Sequence, residues 1–213
     1  MDKKLILILL CVLLLFNCTQ QSKSNSALVK KSYLGFSKNI LDYRITPKDS
    51  VDKSGLMFSD QGAWFAYSLP KTSKNLIGFT GPFLMTQQNG IWSTVILSGL
   101  SINEGVHNDR LISFKDDLVE QKAHASHLEQ LFENKKVRIK QELLFSSGHT
   151  ALQRFSITNV SEFQIEMNTS IQGGVYDIGI DLSLENGQIK LTSENTNATG
   201  YISVSEDFDQ MDF

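Results

Sequence analysis

The chain has 213 residues, a formal net charge of −3 at pH 7 and a sequence pI near 5.8. Its basic residues occur in isolated pairs, such as Lys30-Lys31, and not in the clusters that phosphate binding requires, so the composition excludes a nucleic-acid partner. An apolar content of 41% with only three prolines excludes a disordered chain. The length allows one sizeable domain behind a leader.

Residues 1–17 have the pattern of a bacterial lipoprotein signal peptide. The basic segment MDKK precedes an unbroken apolar run over 5–16, which is too short to span a membrane comfortably. Cys18 stands where this run meets a polar segment, the position at which a lipoprotein thiol is acylated. We therefore predict lipid attachment at Cys18 and a place in the bacterial cell envelope, on the outer membrane or the periplasmic face. The alternative is an ordinary secretory leader and a secreted or periplasmic protein.

Residues 18–32 are mostly polar and show no regular spacing of apolar residues. This pattern is typical of a tether that holds a lipid-anchored domain away from the bilayer. Cys11 lies in the leader, so the mature chain keeps Cys18 alone and has no internal disulfide partner. Stability must therefore come from a packed core, which we assign to a single domain over residues 33–213.

From residue 33 onward, strand signals dominate. Apolar, aromatic-rich runs predict strands at 62–69, at 77–85 with a break at Gly81-Pro82, and at 91–97 behind the Asn89-Gly90 turn. Later segments alternate between apolar and polar side chains over 137–145, 151–157 and 163–171. Turns are expected at 134–136, 146–149, 185–187 and 198–200.

This period of two places one face of each strand in a core and the other in water, as in antiparallel sheets. With about ten residues per strand, the pattern predicts an all-β, antiparallel β-sandwich. The span 116–132 also fits a helical face loosely, and we favour strand there.

Three aromatic side chains are candidates for carbohydrate contact. Trp64, Tyr67 and Trp92 lie beside turn residues, and pyranose faces pack well on such rings. The competing interpretation is that both tryptophans belong to the sandwich core.

Acidic residues and histidines give no catalytic or metal-binding pattern, so no catalytic residue, metal ligand or cofactor is predicted. Exposed carboxylates are the ordinary state of Asp and Glu. His124 and His127 suit two ligands on a helix, but a strand would point them to opposite faces. The carboxylates considered are Asp116, Asp117, Glu129, Glu133, Asp177, Asp181, Asp207, Asp209 and Asp212, and the other histidines are His107 and His149.

A patterned set of Gly, Trp and Pro carries a family resemblance. The segments Gly62-Ala63-Trp64, Leu69-Pro70, Gly78-Phe79, Gly81-Pro82 and Leu84-Met85-Thr86 resemble the N-terminal domain of glycoside hydrolase family 63, in particular the bacterial α-glucosidases of the YgjK type. The resemblance covers roughly residues 35–205 and implies a super-β-sandwich. It differs where Phe65-Ala66-Tyr67 replaces the family's second aromatic or His-Gly.

In that family the sandwich packs on an (α/α)6 toroid, whose paired carboxylates hydrolyse the glycosidic bond with inversion. The resemblance therefore implies a non-catalytic domain of a glucosidase that acts in carbohydrate metabolism. The acidic tail after residue 204 ends abruptly, so we expect a longer parent protein with a C-terminal catalytic domain. The alternative is a stand-alone surface lipoprotein that binds glycans or a protein partner without catalysis.

Overall fold

A computed structural model describes residues 38–71, 76–85, 89–105, 110–194 and 197–205. Within these ranges the chain forms thirteen strands and no helix, which confirms the predicted all-β, antiparallel class. The strands are β1 Phe65–Ser68, β2 Thr80–Leu84, β3 Ile91–Trp92, β4 Gly99–Glu104, β5 Arg110–Leu111, β6 Leu118–Ala123, β7 His127–Glu133, β8 Val137–Ser147, β9 Thr150–Asn159, β10 Met167–Gln172, β11 Ile180–Glu185, β12 Gln188–Ser193 and β13 Thr199–Ile202.

One layer of the sandwich is the four-stranded sheet β6-β7-β8-β9, in which every neighbouring pair is an antiparallel hairpin. Its strands show the alternation predicted from sequence: odd-numbered residues of β8 from Val137 to Phe145 are buried. The β7–β8 turn is tight, because Asn134 Oδ1 accepts hydrogen bonds from the backbone N–H groups of Lys136 and Val137. Local sequence therefore sets the register of this sheet.

The facing layer consists of two smaller sheets, β1-β2-β3 and β10-β4-β5. Two isolated bridges connect these sheets. Ile77, which precedes β2, pairs with Leu100 of β4, and Gly81 of β2 pairs with Ile96, which precedes β4. Phe58, Leu69 and Phe79 of this layer pack against the four-stranded sheet in one apolar cluster; Ile77, Leu100 and Ile102 do so in a second. The residues that meet them are Ala123, Leu128, Leu143 and Phe145 in the first cluster, and Phe132, Val137 and Ile139 in the second.

A row of three glutamines, of which Gln130 and Gln141 are fully buried, crosses the four-stranded sheet between these two clusters. Gln121 pairs with Gln130 and Gln130 with Gln141 in the strand register, so their amides lie side by side. Gln121 Nε2 donates to Gln130 Oε1 at 3.0 Å, and Gln130 Nε2 donates to Gln141 Oε1 at 2.9 Å. Two further bonds reach the facing layer, from Gln121 to Pro70 O and from Gln130 to Gly78 O, each 3.0 Å. The glutamine row thus ties the two layers together by polar contacts.

A fourth sheet, β11-β12-β13, is a meander at the C-terminal side of the described chain. Its β11–β12 turn is Asn186-Gly187, both with positive φ, as the predicted two-residue hairpin turn requires. One face carries Leu182, Leu184 and Leu191, and Leu184 is half exposed.

The strand that we favoured for 116–132 is confirmed over its helical alternative, since β6 and β7 occupy most of that span. Three sequence predictions are corrected. The strand predicted over 91–97 is wrong beyond Trp92, where β3 ends. The expected break at Gly81-Pro82 is also wrong, because β2 runs through both residues. The strand predicted over 163–171 begins only at Met167, and Phe163 lies outside it with 76% of its surface exposed.

Candidate functional site

Trp64 is an exposed aromatic on the described surface. Its side chain is 66% exposed, although its backbone is fixed by a hydrogen bond from Met85 N to Trp64 O at 2.8 Å. Ala63 before it and Phe65 after it both contact the first apolar cluster, so alternation directs the Trp64 indole away from that cluster. A rigidly held backbone with an open indole suits stacking on a planar or sugar ligand.

Tyr67 occupies a different place from Trp64. It is half-buried against the first cluster, where its ring lies 6.3 Å from that of Phe145, and burial raises the pKa of its phenol. Its ring also lines a groove of about 570 Å³ beside β9, together with Leu97, Phe155 and Tyr201. Tyr67 and Trp64 therefore do not form one platform.

Trp92 lies in the core, so it offers no ring face to a sugar. None of its surface is exposed. It packs edge-to-face on Phe83 at 5.1 Å, and its Nε1 donates to Asp52 O at 2.6 Å. The core interpretation is thus correct for Trp92 and wrong for Trp64, and of the three predicted contact residues only Trp64 presents an open indole.

A charged row lies on the outer face of the four-stranded sheet. Lys122, Glu129, Glu142 and Arg154 are consecutive partners in the register of β6 to β9. Glu129 and Glu142, two like charges placed opposite each other, are bridged by Lys140, whose Nζ lies 3.0 Å from Glu129 Oε2 and 2.8 Å from Glu142 Oε1. Arg154 closes the row with 2.8 and 2.5 Å bonds to Glu142 Oε2.

These two carboxylates converge but do not suit acid–base hydrolysis. Burial acts to raise the pKa of both Glu129 and Glu142. The bonds from neighbouring cations outweigh burial and hold each pKa below its ordinary value. These cations are Lys140 and Lys122 for Glu129, and Lys140 and Arg154 for Glu142. A glycosidase needs one carboxyl with a raised pKa to protonate the leaving oxygen. The charged row is therefore a set of ion pairs on a sheet face.

His124 and His127 lie together on the same outer face. The sequence prediction that they point to opposite faces is wrong, because a two-residue turn separates them: His124 N donates to His127 O at 2.9 Å. In an antiparallel hairpin the two residues that flank such a turn share a face. Their rings stack with centroids 4.2 Å apart and planes 13° apart.

Glu129 completes a three-residue cluster with these histidines. One ligand atom from each of the three side chains lies within 4.8 Å of the other two. The His127 Nε2 to Glu129 Oε2 distance is 4.0 Å. The sequence signal that identifies this cluster is a His-x-x-His spacing centred on a turn between two alternating runs.

The remaining predicted residues are not brought into a site. Glu133 pairs with Arg138 at 2.6 Å, across the β7–β8 turn. Asp177 and Asp181 lie at the start of the meander, where both are exposed. Cys18, His107, Asp207, Asp209 and Asp212 fall outside the described residues.

Among the described residues, no helix is long and apolar enough to cross a membrane. No curated protein matches the chain. The profile of the family described as "Glucosidase YgjK, N-terminal" matches residues 46–178. This match covers more than half of the chain and includes β1 to β10, so both packed layers lie within it. The resemblance found in the sequence is confirmed, and the chain belongs to the family of the N-terminal domain of the glucosidase YgjK.

Proposed function

We propose that the chain is a non-catalytic scaffold domain of a lipid-anchored glucosidase, which braces a helical catalytic domain and places Trp64 at the rim of its sugar site. The observation that carries the proposal is the family match over 46–178. The charged row supports it, because Glu129 and Glu142, which converge on the sheet, are neutralised by cations.

Exposed apolar surface supports the bracing role. The groove beside β9 is bordered by Leu152, Ile157, Tyr201 and Val204, which are each 36–53% exposed. Apolar surface that is grouped in this way marks contact with another domain or protein. We place the contact with a catalytic domain at this groove.

The test of the non-catalytic role uses purified residues 19–213, which are the mature chain without its lipid-bearing Cys18. We expect no hydrolysis of p-nitrophenyl α-glucoside above the rate in buffer. Measurable turnover that is abolished in a Glu142→Gln variant would contradict the proposal.

The test of the sugar contact compares two exposed aromatics. Binding of malto- and nigero-oligosaccharides is measured by calorimetry for the parent chain, for Trp64→Ala and for Phe163→Ala as the matched control. We expect the Trp64 change to weaken binding by about tenfold, the equivalent of ~1.4 kcal/mol, and the Phe163 change to leave it unaltered. Equal affinities in all three would remove Trp64 from the proposal.

The test of the anchor uses the two cysteines of the full chain expressed in a bacterial host. We expect the parent protein and Cys11→Ser to enter the detergent phase on Triton X-114 partition and to incorporate labelled fatty acid. Cys18→Ser should stay in the aqueous phase without label. A Cys18→Ser protein that still carries fatty acid would refute attachment at this residue.

The test of the docking surface is self-association. An apolar groove that lacks its partner should make the mature chain associate at high concentration, as seen by light scattering, and Leu152→Ser should reduce that association. A parent chain that stays monomeric at high concentration speaks against a docking face.

A further inference from the structure

We propose that His124, His127 and Glu129 form a binding site for a divalent transition-metal ion of the Zn²⁺ class on the outer face of the β6–β7 hairpin. Two imidazoles and one carboxylate are a ligand set that suits Zn²⁺, with a fourth position left for water. The site shares no residue with Trp64 or with the groove beside β9, through which the proposed scaffold function acts.

The hairpin holds the two histidines in place. The turn between them is closed by the His124 N to His127 O bond, and its base is fixed by Asn39, which exchanges hydrogen bonds with both backbone groups of Ala123. Leu128 is fully buried beneath the turn. The histidine pair is therefore carried on a rigid element, which is the condition for a preorganised metal site.

Each imidazole has a nitrogen available for a metal ion. His124 Nε2 is shielded from solvent and has no hydrogen-bond partner among the described residues, which is costly for a buried polar atom. His127 Nδ1 is paired with Ser126 Oγ at 3.1 Å, and this leaves Nε2 directed at Glu129.

The distances allow closure on an ion with small side-chain movements. Zn–N and Zn–O bonds of about 2.1 Å at a tetrahedral angle bring ligand atoms to about 3.4 Å from one another. The ligand atoms here lie within 4.8 Å, and the His127–Glu129 separation is 4.0 Å. Closure on an ion requires the stacked rings, whose planes are now 13° apart, to tilt toward a common point.

Lys140 competes with the ion for Glu129. Its Nζ contacts the same oxygen, Glu129 Oε2, that faces His127, and it also holds Glu142 at 2.8 Å. An arriving ion would displace Lys140 from Glu129 toward Glu142, with which Lys140 already forms an ion pair. The structure therefore predicts that removing the Lys140 charge tightens metal binding, an effect that a fortuitous surface histidine pair would not show.

The experiment is a Zn²⁺ titration of the metal-stripped mature chain without a histidine tag, by calorimetry at pH 7.5. We expect one saturable site per chain, weakened about tenfold or more in His124→Asn and in His127→Asn, and tightened in Lys140→Gln. His149→Asn, which alters an exposed histidine on the β8–β9 turn, is the matched control and should bind as the parent does. Mg²⁺ should not compete, because hard cations prefer oxygen ligands.

A second readout guards against variants that fold poorly. Zn²⁺ should raise the Tm of the parent and of His149→Asn, and should leave that of His124→Asn unchanged. Binding of equal strength in the parent and in the His124→Asn/His127→Asn double variant would overturn the proposal. An absence of saturable binding in both the parent and Lys140→Gln would overturn it as well.

Discussion

Gln130 lies directly opposite Gln141 in the register of β7 and β8, and its Nε2 donates a 2.9 Å hydrogen bond to Gln141 Oε1. Both side chains are completely buried. Buried amides are expensive unless they are hydrogen-bonded, so the glutamine row fixes how the two apolar clusters on either side are aligned. The two amides differ, however, since Gln141 Nε2 has no partner among the described residues.

Replacing Gln130 by Met, which has a similar volume, should destabilise the fold more than Gln141→Met. The first change removes bonds to Gly78 O, Gln141 Oε1 and Gln121 Nε2, and should lower the free energy of unfolding by about 2 kcal/mol or more. The second loses one bond but also removes an unpaired N–H group, so a change within about 1 kcal/mol is expected. Urea unfolding of both variants measures the difference. Equal losses of unfolding free energy would contradict the unequal hydrogen bonding of the two amides.

Replacement of each tryptophan by phenylalanine should lower the free energy of unfolding strongly at Trp92 and hardly at all at Trp64. Trp92→Phe leaves a cavity against Phe83 and an unpaired Asp52 carbonyl, so we expect a loss of about 2–3 kcal/mol in unfolding free energy. Trp64→Phe alters an exposed ring and should stay within about 0.5 kcal/mol of the parent. Chemical denaturation followed by circular dichroism checks both, and a large loss in Trp64→Phe would contradict its placement on the surface.

Gly173 and Gly174, which follow β10, allow a matched comparison of what an added methyl group does to stability. A Cβ at residue 173 would lie 1.7 Å from Leu97 O, a backbone atom that cannot turn aside, whereas a Cβ at residue 174 meets nothing within 4 Å. Gly173→Ala should therefore destabilise the protein by about 2–3 kcal/mol. Gly174→Ala should be neutral or slightly stabilising, because it restricts the unfolded chain. Thermal unfolding of the two variants decides, and a Gly173→Ala protein as stable as its neighbour would refute the close approach.

Acid should weaken the charged row over a defined pH range. The folded-state pKa values of Glu129 and Glu142 lie below the ordinary value. Their contribution to the free energy of unfolding is therefore fully present above the unfolded pKa of about 4.3. This contribution is lost as the pH falls through the folded-state pKa. The groups that face these carboxylates are Lys122, His127, Lys140 and Arg154.

The measurement is the free energy of unfolding between pH 5 and pH 3 for the parent and for Glu142→Gln. We expect a shallower pH dependence in the variant, because one depressed carboxyl has been removed. Glu162→Gln, which changes an exposed carboxylate that has no ion pair among the described residues, is the control and should follow the parent. An identical slope in Glu142→Gln and the parent would show that this carboxylate does not contribute.

Much of the scaffold could be predicted from sequence because strand alternation and turn chemistry are local. The alternation from Val137 to Phe145 and the Asn186-Gly187 turn each depend on a few neighbouring residues, and the structure shows both as predicted. The family, too, was recognisable from residues around Trp64 and Gly81-Pro82. The sequence by itself thus determined the class of the fold and its place in the glucosidase family.

Only the tertiary structure decided which side chains are available for function. Trp64 and Trp92 both stand near turn residues, yet one is open and the other fully buried, since exposure depends on what the facing layer covers. His124 and His127 meet because a turn folds the chain back between them, and Gln130 meets Gln141 through a register of two strands. These relationships join residues across strands, and a pattern read along one strand carries no information about its neighbour.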